Sequence, residues 1–256
     1  MKLTRHLAAL TIATMLLVAL VSCHRKPRNR LDESHFPPIV LWAWERSEDL
    51  RGLDSKRFAV AFLAQTLVLK GDDVILNPRQ QPLQVSPDTK LMAVTRVESS
   101  KTNGEMTALS DAQRLKLVSL VMRTTRLANV SAIQIDFDAA SSEREFYRRF
   151  LQDLRAQLPD AMPLSITALA SFCIGDRWLR DLPVDEAVPM IFRMGADDRA
   201  IKMMLAGGDD FREPLCQRSY GVAIDEPLDM KRDTSRRVYV FNNHSWTQND
   251  IARLHL

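Results

Sequence analysis

The sequence predicts an α/β fold of the (β/α)8 (TIM) barrel class, with a small hairpin excursion after the second strand. Short β-branched runs alternate with amphipathic stretches along the chain. About eight such runs fit between residue 38 and residue 256, enough for one closed barrel. No glycine-rich phosphate loop follows any strand, which disfavours the open, doubly wound sheet as the alternative. With only eight glycines in the chain, a nucleotide cradle has little to be built from, and no cofactor is expected.

The elements follow in order. IVLWAW (39–44) reads as strand one and FAVAFLAQTLVL (58–69) as strand two. KGDDVILNPRQQPLQV has a Gly-Asp-Asp turn and prolines, the chemistry of the hairpin excursion. LMAVTRVES (91–99) is strand three. Ser110 then caps a helix that buries Leu115, Leu117, Val118, Val121 and Met122. AIQIDFD (132–138) is strand four. Ser141 or Ser142 opens the next helix, in which Phe146, Phe150, Leu151, Leu154 and Leu158 share a face until Pro159. PLSITAL (163–169) is strand five, with a short helix expected over 176–181. AVPMIF (187–192) is strand six, followed by a helix over 197–205. YGVAI (220–224) and RVYVFN (237–242) complete the set, and Ser245 or Thr247 caps a last helix.

The amino-terminal residues carry an address. Lys2 and Arg5 precede the apolar run 7–21, the length of a signal-peptide core and short for a spanning helix. Leu20-Val21-Ser22-Cys23 resembles the bacterial lipobox, which implies cleavage after residue 22 and lipid on Cys23. Residues 23–37 then form a basic, proline-ended tether suited to anionic headgroups. His24 after the cysteine resembles the pattern sent to the outer membrane, facing the periplasm. The formal charge of +3 falls to +1 without Lys2 and Arg5, and to −1 once residues 23–35 are set aside. A nucleic-acid partner therefore has no electrostatic footprint on the folded part. An oxidising compartment makes a Cys173–Cys216 disulfide the expected state of the two remaining cysteines, with two buried free thiols as the alternative. Neither has a neighbour at zinc-ligand spacing, and no metal is expected.

In a barrel the chemistry sits at the carboxyl ends of the strands. That rule selects Trp44 and Glu45, Arg96 and Glu98, Asp136 and Asp138, Thr167 and Ser171, Arg193, Asp225 and Glu226, then Asn243, His244 and Trp246. Acids, arginines and aromatics together are the mixture a sugar site uses. On strand four, alternation sends Ile133, Ile135 and Phe137 toward helices and Gln134, Asp136 and Asp138 inward. Two neighbouring carboxylates resist ionising together, so one pKa should rise. Asp136, Asp138 and Glu226 are the catalytic candidates. Glu45, Trp44, Arg96, Arg193, Asp225, Asn243 and Trp246 are the substrate-binding candidates, with a polysaccharide as partner. The alternative to a site is an ion-pair network in which Arg96 and Arg193 neutralise both aspartates.

VSAIQIDFDAASSEREFYRRFLQDLRAQLP, LSITALASFC, VPMIFRMG and YGVAIDEP together resemble the bacterial family called domain of unknown function 3142, over about residues 39–243. The strand-four segment in turn is similar to that of the chitinase-like family 18 glycoside hydrolases. Their pattern is D-x-x-D-x-D-x-E, whose final Glu is the general acid. Asp136 and Asp138 match its second and third acids, while Ile133 and Ala140 replace the first and last. At strand six M-x-Y-D becomes Met190, Phe192 and Arg193. The resemblance implies a barrel that acts on or binds a polysaccharide. The departure at Ala140 implies that any acid must come from Asp138, Glu226 or Glu143, or that the protein binds glycan without cleaving it.

Overall fold

The computed structural model describes residues 29–101, 106–226 and 230–254. The expected signal peptide, Cys23 and the first part of the expected tether lie outside the described residues. The strands are β1 (Ile39–Ala43), β2 (Glu48–Leu50), β3 (Phe58–Lys70), β4 (Asp73–Pro78), β5 (Leu83–Val85), β6 (Leu91–Ser99), β7 (Val130–Asp136), β8 (Leu164–Leu169), β9 (Glu186–Met190), β10 (Ser219–Ala223) and β11 (Arg237–Phe241). Eight of them, β1, β3 and β6 through β11, pair in parallel in that order. β1 pairs with both β3 and β11, which closes the barrel.

β3 runs past the barrel rim and folds back through Gly71, at φ +54°, into antiparallel β4. This is the hairpin excursion, and β2 and β5 form a separate parallel pair beside it. The helices are α1 (Arg30–Glu33), α2 (Asp111–Thr124), α3 (Arg144–Gln157), α4 (Asp198–Ala206) and α5 (Gln248–Ala252). Ser110 and Gln113 form a capping box at the start of α2, and Thr247 caps α5.

Three local expectations are corrected. Leu115 points to solvent, 55% exposed. Gln113 is buried instead, its amide donating to the Gly71 and Asp73 carbonyls and so tying the hairpin to α2. Neither Ser141 nor Ser142 caps α3. Residues Ser141–Glu143 form a 3-10 turn, and the Glu143 carboxylate accepts the Ala140 N–H at 2.7 Å. Residues 176–181 form turns rather than a helix. The segment is too short and too closely bounded by Gly175 and Pro183 to pass the cost of helix nucleation.

The alternation in β7 is as the sequence implies. Ile133, Ile135 and Phe137 join the layer between strands and helices, where α3 contributes Phe146, Phe150, Leu151 and Leu154. The barrel interior holds Val40, Trp42, Ala59, Ala61, Met92, Val94, Val188 and Tyr239, with Leu31 of α1 and Phe36 at its base. Small residues on β3 leave room for Trp42 and Tyr239, large beside small as dense packing requires.

Through this apolar interior runs a continuous hydrogen-bond chain. The Trp42 indole donates to Gln134 at 2.8 Å, Gln134 donates to Ser165 at 3.0 Å, and Ser165 to Glu186 at 3.2 Å. Glu186 also accepts from the Tyr239 hydroxyl and pairs with Arg237 at 3.4 Å. Trp42, Gln134, Ser165, Glu186, Tyr239 and Arg237 thus all have partners, which is what allows these polar groups inside a barrel at all. Cys173 and Cys216 are joined by a disulfide, Cα to Cα 5.9 Å.

Candidate functional site

At the carboxyl end of the strands a cavity of about 340 Å³ opens between two unlike walls. One is aromatic. Trp42 and Trp44 come from β1 and the turn after it, Phe192 from the end of β9, and Phe241 from β11. Phe192 and Phe241 stack at 5.3 Å between centroids and 10° between planes. Trp44 meets Phe241 edge-on at 6.5 Å, and Trp42 lies 6.2 Å from Phe192. Phe241 was not among the sequence candidates. Its signal is the period of two along β11, where Arg237, Tyr239 and Phe241 face inward together.

The other wall carries Asp136, Asp138 and Thr167, with Arg96 at the edge. Thr167 donates its hydroxyl to Asp136 at 2.6 Å. Burial pushes the Asp136 carboxyl up from its ordinary range. The Thr167 hydrogen bond opposes that shift and the neighbouring Asp138 charge adds to it. Asp138 is raised too, through lost hydration at the cavity wall, against the pull of Arg96. Both acids move, and desolvation leads in each; repulsion from Asp138 is a smaller cause, at Asp136 alone.

The two arginines do not neutralise this pair. Arg96 binds Glu98 at 2.8 Å, and Arg193 binds Asp225 at 3.2 Å. Neither Asp136 nor Asp138 has an ion-pair partner among the described residues. Arg193 instead lies over Phe241, 4.9 Å from the ring centroid. Its backbone is left-handed, φ +52°, a conformation costing an L-residue about 1–2 kcal/mol. Glu226 holds it there, accepting the Arg193 N–H at 3.2 Å on each carboxylate oxygen.

Several sequence candidates therefore have other work. Glu226 is occupied by Arg193 and by Lys202 at 3.5 Å, and does not line the cavity. Asn243 donates to Asp225 at 2.9 Å, so both brace Arg193 from outside. Glu45 accepts the N–H groups of Gln80 and Gln81 at 2.9 and 3.0 Å, pinning the loop after β4. Trp246 is buried and does not line the cavity, so it offers no stacking face there. Its indole donates to the Trp42 carbonyl at 2.9 Å. Glu143 is buried in its cap. Among the described residues, no group of three or more acids, histidines and cysteines is placed to hold a metal.

A second cavity of about 270 Å³ adjoins the first. The two share Asp138, Met190, Phe192 and Arg193, so Asp138 stands at their seam.

Residues 89–186 match the model of the domain of unknown function DUF3142. The DUF3142 segment runs from the entry to β6 to the first residue of β9. It therefore carries Asp136, Asp138 and Thr167, while the aromatic wall comes from outside it.

Three solved structures are similar to the chain. A putative chitinase A from Streptomyces coelicolor is 9% identical with a TM-score of 0.52, over 81% of this chain and 92% of that one. The spore cortex-lytic enzyme SleL of Bacillus cereus is 17% identical with a TM-score of 0.46, over 73% of this chain. The chain spans 52% of the length of SleL. A family GH18 chitinase from Chromobacterium violaceum is 12% identical with a TM-score of 0.47, over 80% and 78%. The Streptomyces likeness shows the fold, a TIM barrel. Among curated proteins no sequence match is found.

Proposed function

We propose that the barrel mouth binds a saccharide, and that the protein is a lipid-anchored component of the bacterial cell envelope holding or sensing a polysaccharide. The observation that carries this reading is the pairing of an aromatic wall with two carboxylates that have no ion-pair partner. Sugar rings present C–H faces that pack on aromatic rings and hydroxyls that donate to carboxylates, and this cavity offers one of each. Its volume is near the lower end for ligand pockets, and the adjoining cavity extends it past Asp138. A ligand of two or more linked rings fits such a pair of compartments.

Binding ranks above hydrolysis because the acids are all on one side. Ala140 stands where the family 18 pattern has its general acid, and Glu226 is engaged by two cations. One observation favours hydrolysis as a second reading: Asp138 faces the cavity with a raised pKa, the condition for a proton donor. Anchoring through Cys23 and residence at the outer membrane rest on the lipobox alone. Among the described residues no helix is long and apolar enough to cross a membrane.

Calorimetric titration with soluble oligosaccharides of one to six rings tests the reading. Saturable binding is expected, weakened about tenfold or more by Trp44→Ala, as for a central aromatic anchor. No binding by any member of the panel refutes it. Release of reducing ends that Asp138→Asn abolishes would replace binding by hydrolysis.

A further inference from the structure

Away from the barrel mouth, unpartnered positive charge gathers at one cleft. It lies on the barrel flank, has a volume of about 200 Å³, and is lined by Arg177, Arg180, Arg212, Asp176 and Glu213 beside Cys173. The guanidinium groups of Arg177, Arg180 and Arg212 are exposed and make no hydrogen bond, ion pair or ring contact among the described residues. Neighbouring arginines behave differently. Arg144 holds Asp176 at 2.7 Å, and Arg148 donates to the carbonyls of Trp178 and Arg180.

The two chain segments that supply these arginines are clamped together. The N–H groups of Arg212 and Glu213 both donate to the Cys173 carbonyl, at 3.0 and 3.2 Å, and the disulfide to Cys216 lies beneath. The backbone positions from which Arg177, Arg180 and Arg212 project are therefore held by the fold. Asp176 is already neutralised by Arg144, which leaves Glu213, 7% exposed, as the single uncompensated carboxylate against three cations.

We propose that this cleft binds a phosphoryl group. Guanidinium forks match carboxylates and phosphates alike. Three forks exceed the two oxygens of a carboxylate but suit the three or four of a phosphoryl group, and the cleft has room for one such group. The source is either free phosphate or a terminal phosphomonoester of a lipid headgroup or polymer. The proposal does not rest on the saccharide reading of the barrel mouth.

The purified full chain is titrated at low salt with inorganic phosphate, with short-chain phosphatidic acid, and with acetate. Saturable binding of at least one phosphate probe is expected, with acetate about tenfold weaker. Arg212→Gln should weaken phosphate binding about tenfold, the scale of one charge-assisted hydrogen bond, and the triple Gln variant at 177, 180 and 212 should abolish it. These side chains have no partners in the fold, so the variants keep the native circular dichroism spectrum. Preference for inorganic phosphate assigns the cleft to the free ion, and preference for the phosphomonoester to a headgroup or polymer. Equal binding by the triple variant, binding of acetate as tight as phosphate, or no binding of either phosphate probe overturns the proposal.

Discussion

Gly221 offers a sharp test of how the barrel interior supports the site. It sits on β10, opposite Tyr239 of β11 and Met190 of β9. A Cβ added there would lie 2.9 Å from the Pro189 carbonyl oxygen, and 3.2 Å from both the Trp42 ring and Val188. Its φ is not positive, so Gly221→Ala strains no backbone and reports packing alone. The carbonyl belongs to a barrel strand and cannot retreat. Trp42 must yield, yet its indole is bonded to Gln134 and its ring lies 5.4 Å from Tyr239. Overpacking of this kind costs about 1–3 kcal/mol, and the reduced freedom of the unfolded chain returns about 0.4–1 kcal/mol. The net loss is about 1–2 kcal/mol, or a melting point lower by roughly 2–8 °C for a chain of this size. Because Trp42 also lines the cavity, saccharide affinity should fall with stability. Adding Trp42→Phe makes space for the methyl, so the double variant should recover part of the loss as a favourable coupling. Thermal and urea unfolding of the four proteins measure it. If Gly221→Ala melts with the wild type, or Trp42→Phe shows no coupling to it, the close approach at Gly221 does not set the position of Trp42.

Other expectations follow from the same contacts. Glu186→Ala leaves Arg237 without its buried partner and should cost about 3–5 kcal/mol in urea unfolding; a loss below about 1 kcal/mol would mean Asp32 holds Arg237 unaided. Asp136 has a folded pKa above its unfolded one, so it lowers stability as pH rises from the ordinary carboxylate range through the folded pKa. Asp136→Asn, which can still accept from Thr167, should gain in urea midpoint over the wild type at neutral pH and match it near pH 3 (~1 unit below the ordinary Asp value); a neutral-pH loss contradicts the assignment. Replacing Cys173 and Cys216 together by Ala opens a loop with a separation of 43 residues and should cost about 4 kcal/mol, read from the melting point under otherwise identical conditions. Affinity should step up between one and two sugar rings, because Asp138 stands at the seam of two cavities; a flat series would confine the ligand to the first.

Much of this was legible because strands and helices write different periods. The alternation of Ile133, Ile135 and Phe137 against Gln134, Asp136 and Asp138 gave both the barrel strand and the direction of the acids. What stayed hidden depended on partners distant in sequence. Glu226 and Trp246 stand at strand ends like true mouth residues, yet a backbone N–H at Arg193 and a carbonyl at Trp42 claim them. Glu45 likewise serves a loop 35 residues away. Glu186 lies just before the 187–192 run and carries no local signal of its own; only the closed barrel brings Arg237, Tyr239 and Ser165 around it. Residues 176–181 looked helical by pattern, but their length gives too little hydrogen bonding to repay nucleation.

The most direct test of the saccharide site uses the four tryptophans as built-in reporters. Trp42 and Trp44 line the cavity, Trp246 is buried behind it, and Trp178 packs against Tyr147 and Phe172 on the flank. Indole N–H resonances, assigned by single Trp→Phe variants, are followed by NMR while soluble oligosaccharides are titrated. The account predicts saturable shifts of the Trp44 and Trp42 signals, with Trp178 and Trp246 unmoved. Shifts confined to Trp178, or four signals that stay still through the whole panel, would contradict it.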